Sequence, residues 1–487
     1  MNRTTVRTVR SLVPARIDRL SWSPFHTRMV IALGIAWVLD GLEITVASAV
    51  GPVLQRADTL HLDSYQVGLT ATVYLIGQVV GSLVFGDLSD RLGRRRLFLV
   101  TLGLYLVASG LTALSWDFWI FLVLRFVAGL GIGGEYAAIN SAIDEMIPAR
   151  YRGRTDLAVN GTYWLGSIIG TLGTYVLLNP GLLGEDVGWR LGFLIGPLIA
   201  LAVWPLRRRI PESPRWLLLH GREREADEVV AEMERGARAL TPVDPARAIE
   251  LRARDRTPLT TVARTLFRDY PSRSLLGATL MISQSFLYNA IFFTYALVLT
   301  HFYDVPDHQT PKYLFAFAVG NLLGPLLLGR FFDTVGRKPM ISGTYLASGV
   351  LLAVSGFLFH AGLLDATTQT AMWVIVFFIA SAAASSAYLT VSEIFPVEVR
   401  ARAISLFFAI GQLVGAAGPT VFGALIGDEA HPDPTRLLYG YLFAAAIMIA
   451  AGTLEAFIGV KAERTPLEEV SGPLSRVPEA PSGAPRA

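Results

Sequence analysis

GDLSDRLGRR (86–95) and GRFFDTVGRK (329–338) are two versions of one polar loop, 243 residues apart, each set between long apolar runs. A second pair repeats the pattern: EMIPARYRGR (145–154) and EIFPVEVRAR (393–402) lie 248 residues apart. Two offsets that agree this closely make a chance likeness a poor explanation. The chain reads as a duplication, with the same two connections marked in each copy.

Working outward from these loops, apolar runs fall at 28–54, 65–86, 97–115, 117–142, 155–178 and 189–206 in the first copy. In the second they fall at 272–300, 312–331, 339–360, 370–394, 403–427 and 437–459. Each is long enough to cross a ~30 Å hydrocarbon layer as a helix. The expected fold is an all-α membrane protein of twelve spans in two six-helix halves, a parallel repeat with its site between the halves near the mid-plane. The halves cover 28–206 and 272–460. A short segment, 1–27, precedes them and a charged linker, 207–271, joins them. The tail 461–487, rich in Pro, Glu and Ser, is expected to be disordered. Within the linker, HGREREADEVVAEMERG (220–236) predicts a surface helix supported by Glu–Arg spacings, and TTVARTLFRD (260–269) an amphipathic one lying along the membrane face.

Sidedness follows from the basic residues, which collect on the cytoplasmic side. Arg3, Arg7, Arg10, Arg16 and Arg19 precede the first span; Arg91, Arg94, Arg95 and Arg96 follow the second; Arg150, Arg152 and Arg154 follow the fourth. Arg337 and Lys338 follow the eighth, and Arg400 and Arg402 the tenth, whereas the alternate connections are nearly free of Lys and Arg. Both chain ends are therefore expected in the cytoplasm, in a multi-pass protein of a bacterial inner membrane. Of the 487 residues only 17% are charged, well under the ~25% of an average soluble domain. The basic residues flank apolar runs rather than forming a water-facing patch, so nucleic acid is not an expected partner. There is no cysteine, which excludes disulfides and thiolate chemistry. The seven histidines stand singly at span ends or in loops, so no metal site is expected. GLGIGG (129–134) mimics a dinucleotide fingerprint but lies inside an apolar span with no strand before it, where close helix packing explains it better. No cofactor and no enzymatic constellation is expected.

The loop GDLSDRLGRR fits the Gly-x3-Asp-Arg-x-Gly-Arg-Arg motif of the major facilitator superfamily at every fixed position, and the second copy keeps Gly329, Asp333, Gly336, Arg337 and a basic Lys338 but has Thr334 where Arg would stand. PESPRWL (211–217) resembles the signature that follows the sixth span of sugar porters, and RFVAGLGIGGEY (125–136) resembles the fourth span of metabolite:proton symporters. The Gly-Pro pair that marks antiporters is missing from GTYWLGSIIGTLG (161–173), which weakens a drug-exporter reading. The resemblance implies a cytoplasmic gate in which charged clusters lock the halves together: Gly86, Asp90, Arg91, Gly93, Arg94, Glu145, Arg152, Glu212 and Arg215, with Asp333, Gly336, Arg337, Glu393 and Arg400 in the second half. Gly86 and Gly93 would let the chain turn sharply between spans 2 and 3. The plainer alternative is that these charges mark topology and cap helices.

Ionisable residues inside spans are few: Asp40 and Glu43 in the first, Arg125 and Glu135 in the fourth, and Glu455 near the inner end of the last. Such groups are costly in a bilayer, so they are expected to face the bundle interior. At ~1.5 Å per residue, Glu43 and Arg125 reach similar depth in the outer half of the membrane and can pair if spans 1 and 4 are neighbours. The resemblance to sugar porters implies the same pair, an acid in span 1 facing an Arg in span 4. Asp40, one turn inward of Glu43, has no obvious partner and is the better placed to take up a proton. A static ion pair is the alternative. Glu135 either relays protons inward or pairs with an Arg; the sequence leaves both open.

For the substrate, ISQSFLYNAIFF (282–293) resembles the Gln-Gln-x4-Asn run of sugar porters, keeping Gln284 and Asn289 but lacking the tyrosines that follow. Trp37, Asn160, Tyr163, Trp164, Asn321 and Tyr388 are further candidates, each of which interhelical packing would also explain; for Trp37 the competing position is lipid-facing. The lining favours a small organic acid or aromatic metabolite over a hexose. The expected activity is proton-coupled import of a small organic solute by a monomer, with the proton as coupling ion; a proton-driven exporter or a non-transporting solute sensor are the rivals.

Overall fold

The computed structural model describes residues 8–462, except 55, 57, 63, 180–181, 184, 239–241, 243–248, 253–258, 307–308 and 427–432, together with 470–471. Some helical side chains, among them those of Asp90, Arg91, Arg152 and Asp333, also lie outside the described residues, as does most of the predicted tail. The described residues begin with a strand, β1 (Thr8–Ser11), and a short helix, α1 (Val13–Asp18). The first half follows as α2 (Pro24–Leu54), α3 (Ser64–Leu92), α4 (Arg94–Thr112), α5 (Phe118–Met146), α6 (Ala149–Leu177) and α7 (Glu185–Arg208). The linker holds α8 (Pro214–Leu219), α9 (Glu223–Arg235), β2 (Ile249–Arg252) and α10 (Leu259–Arg264), extended by a π turn over Thr265–Asp269. The second half is α11 (Pro271–Tyr303), α12 (Thr310–Thr334), α13 (Arg337–His360), α14 (Ala366–Ile394), α15 (Val397–Gly415), α16 (Ala417–Ile426) and α17 (Pro434–Ile458).

Packing repeats between the halves: α3 lies on α5 and α2 on α6, as α12 lies on α14 and α11 on α15. Across the interface α6 packs on α12 and α3 on α15 and α16. Eleven stretches among the described residues are long and apolar enough to cross a membrane, one of them the α15–α16 pair. Helix α6 has the length, 29 residues, but falls short of the apolar criterion. Its hydroxyls turn back on the backbone, with Thr171 donating to Ser167 O and Thr174 to Gly170 O, both at 2.8 Å. The single run read at 403–427 is broken after Gly415 because Pro419 has no N–H to return to that carbonyl.

The loops quoted above gather at one end of the bundle. The turn between α3 and α4 is made by Gly93 alone (φ +88°), and its counterpart is Gly336 (φ +120°); Gly86 lies inside α3, so its expected role as a hinge is corrected. At the opposite end Asp117, Asp365 and Asp433 accept backbone N–H groups at 2.7–2.9 Å and start α5, α14 and α17. The N-terminal segment and linker are joined: β1 pairs antiparallel with β2, and Arg16 and Arg19 bind Glu234 at 2.7 and 2.8 Å. The paired guanidiniums hold the Glu234 carboxyl below its ordinary range.

Candidate functional site

The glycine run of α5 sets the site. A Cβ at Gly129 would strike the carbonyl of Tyr74 and one at Gly133 the backbone of Gln78, so only glycine allows α5 this close to α3. That approach brings Tyr74, Gln78 and Tyr136 to one point, and Asp40 of α2 is received there. Tyr74 Oη donates to Asp40 Oδ1 at 2.9 Å, Gln78 Nε2 to the same oxygen at 2.6 Å, and Tyr136 Oη to Oδ2. Asp40 is 2% exposed. The expectation that it has no partner is therefore corrected: its partners are neutral donors, which charge spacing in a sequence does not reveal.

Glu43, one turn on, points away from the interface into the first half. Arg125 Nη1 donates to its Oε1, and Tyr105 and Ser109 of α4 donate to its Oε2 at 2.9 Å each. The Arg125 guanidinium also lies 4.3 Å over the Tyr74 ring, so the ion pair and Asp40 share a neighbour. Glu135 makes a two-pronged pair with Arg207 of α7, 2.7 and 3.0 Å, both side chains 1% exposed. Arg207 was missed because the sixth apolar run was ended one residue before it. In the second half Glu455 is fully buried, and neither carboxylate oxygen has a hydrogen-bond partner among the described residues.

Between the halves lies a cavity of about 120 Å³. Seven of the eight substrate candidates line it: Trp37, Asn160, Tyr163, Trp164, Gln284, Asn289 and Tyr388, with Asp40 beside them. Trp37 is thus buried and not lipid-facing. Asn321 lies behind the wall, accepting from Tyr288 Oη at 2.9 Å, so its assignment as a direct contact is corrected to a support for Tyr288. Tyr136, Ser285, Tyr288, Ser381, Ser385, Phe408 and Gln412 also line the cavity and were not singled out in the sequence. Ser285 and Tyr288 stand inside the 284–289 run, where their place between the two amides could have marked them, but nothing in α15 marked Gln412. Aromatic contacts bridge the halves: Trp37 on Tyr388, Tyr136 on Phe408, and Trp164 on Tyr288, Phe292 and Phe317. A polar chain does the same. Gln412 Nε2 reaches Gln78 Oε1 at 3.4 Å, while Ser285 and Asn289 donate to Gln412 Oε1.

At the motif end each half carries one equivalent ion pair, Arg94–Glu145 at 3.0 Å and Arg337–Glu393 at 3.1 Å. Glu212 caps α4 instead of pairing with Arg215, accepting the backbone N–H of Arg94 at 2.8 Å and Arg95 at 3.3 Å. Arg400 donates to the carbonyl of Phe395. A Cβ on Gly93 would press into the Glu212 carboxylate. Gly93→Ala is therefore expected to lower thermal stability by about 1–2 kcal/mol through its positive φ and the displaced cap; an unshifted melting temperature would count against this account.

The chain matches the family model described as "Sugar (and other) transporter" over residues 35–471. It is 25% identical over 463 residues to the niacin transporter NiaP of Acinetobacter baylyi, covering 94% of this chain and 99% of that one. It is 30% identical over 217 residues to the inner membrane metabolite transport protein YgcS of Escherichia coli, 45% of this chain and 47% of that one. Among solved structures it resembles the proton:xylose symporter XylE bound to 6-bromo-6-deoxy-D-glucose, with TM-score 0.73, 20% identity, and coverage of 92% and 98%. With a fold of that kind and a family match along nearly its whole length, the chain belongs to the sugar (and other) transporter family of the major facilitator superfamily, a membrane transporter of sugar or metabolite type.

Proposed function

We propose that the protein imports a small aromatic metabolite together with protons, by alternating access, as a monomer in a bacterial inner membrane. In this reading the chain crosses twelve times, α6 being the fifth span and α15–α16 together the eleventh, with both ends in the cytoplasm where the basic loops gather. The observation that carries it is Asp40: among the described residues lining the cavity it is the one ionisable group with an ordinary range below neutral pH, and it sits where both halves meet. Through Gln78 and Gln412 it is bonded to Asn289, so a change at the carboxylate reaches an amide that faces the solute. Glu43–Arg125 and Glu135–Arg207 hold the helices that shape this point. Arg94–Glu145 and Arg337–Glu393, with the motif residues around them, form the cytoplasmic latch. The ring-rich wall, and the niacin named for the Acinetobacter relative, favour a pyridine-like ring over a sugar.

Proteoliposomes with an alkaline interior are expected to accumulate such a solute above its outside concentration and to consume the pH gradient as they do. Uptake that stops at equal concentrations would reject proton coupling, and solute-driven proton flux of the opposite sense would favour an exporter. Gln284→Ala and Asn289→Ala are each expected to weaken solute binding by about 1–3 kcal/mol, because a buried polar group of the solute loses its partner. Affinity unchanged in both variants would move the site elsewhere.

A further inference from the structure

The cavity wall combines seven aromatic rings with amides and hydroxyls, and among its lining residues there is no Lys, Arg or His. The groups that face Asp40 from each neighbouring element supply no compensating cation either. Tyr74 and Gln78 on α3, Tyr136 on α5 and Tyr163 on α6 are neutral. Arg125, the one cation close by among the described residues, is consumed by Glu43, the other acid on the same helix, so that pair adds no net charge. The field in the cavity is therefore that of the Asp40 carboxylate, acting in a buried site where charges are screened less than in water. Trp37 adds a second constraint. Its indole N–H is buried, lines the cavity and has no acceptor among the described residues, while its ring lies tilted by 36° against that of Tyr136, with centroids 4.6 Å apart. A flat ring carrying a hydrogen-bond acceptor matches that arrangement.

Building on the aromatic-metabolite reading above, we infer that the cavity is a charge filter set by Asp40: an organic anion is taken up only together with a proton on Asp40, whereas an uncharged or cationic heteroaromatic ring can occupy the site without one. An anion enters this site only when a proton sits on Asp40. A neutral carboxamide enters in either protonation state, and a cation is favoured when Asp40 is charged.

Three pyridines of nearly equal size test this: nicotinamide, nicotinate and 1-methylnicotinamide, which are neutral, anionic and cationic near neutral pH. Binding to the purified full-length protein is measured by titration calorimetry near pH 7.5. Nicotinate is expected to bind about tenfold or more weakly than nicotinamide, with 1-methylnicotinamide at least as tight as nicotinamide. In Asp40→Asn the anion should come within about threefold of the amide. The same discrimination in the wild-type protein should narrow as the medium is made more acidic and Asp40 takes up a proton, which tests the filter even if the variant does not fold. Equal affinity for anion and amide in the wild-type protein would overturn the filter while leaving the aromatic-solute reading intact. So would a preference that neither Asp40→Asn nor acid changes. Failure of all three rings to bind, with binding of a sugar such as xylose, would overturn both.

Discussion

Asp40→Asn is expected to abolish uphill uptake driven by a pH gradient while leaving counterflow exchange, which needs no net proton movement. The side chain keeps its size and can still accept from Tyr74 and Gln78, but it cannot take up and release a proton as a carboxylate does. With one proton per solute, one pH unit supports about tenfold accumulation, or ~1.4 kcal/mol; in the variant the ratio should fall to about one. Glu43 is the control. It faces Arg125, Tyr105 and Ser109 rather than the cavity, so Glu43→Gln should act first on stability, leaving a buried guanidinium without its anion. If Asp40→Asn protein still concentrates solute when protons alone supply the driving force, the coupling carboxylate lies elsewhere and Asp40 is a packing group.

The second large effect is expected at Arg207. Its guanidinium and the Glu135 carboxylate are both removed from solvent and held by two hydrogen bonds. Arg207→Ala leaves a buried carboxylate unpaired, and the expected loss is about 3–5 kcal/mol, read as a lower melting temperature in detergent. The double variant Glu135→Gln/Arg207→Met removes both charges and should recover most of that loss, because a desolvated pair returns little more than its own solvation cost. A single-variant loss below about 1 kcal/mol, with no recovery in the double variant, would mean that water reaches the pair.

The positions of Glu43, Arg125, Gln284 and Asn289 were legible before any fold was known, for a simple reason. A charge or amide in an apolar run is conspicuous, and the rise per residue gives its depth. Partners that are themselves unremarkable residues were not legible. Tyr74 and Gln78 look like ordinary members of their span until Gly129 and Gly133 draw α5 against α3. Gln412 becomes part of the site only because α3 and α15 meet across the interface. Arg207 sits at the end of an apolar run, where a basic residue reads as a topology marker, yet it turns inward to Glu135.

What the sequence by itself determined is the repeat, the order and approximate limits of the apolar helices, and the family, because these depend on local composition and on motifs of fixed spacing. What only the tertiary structure decided is the division of labour among the intramembrane acids. Asp40 opens on the cavity with neutral donors around it, Glu43 and Glu135 are each bound to an arginine inside the first half, and Glu455 is buried without a hydrogen-bond partner among the described residues. The physical reason is that a helix presents its side chains around a full turn every 3.6 residues. Four acids that look equivalent along the chain thus meet three kinds of surroundings once neighbouring helices choose which face each one sees.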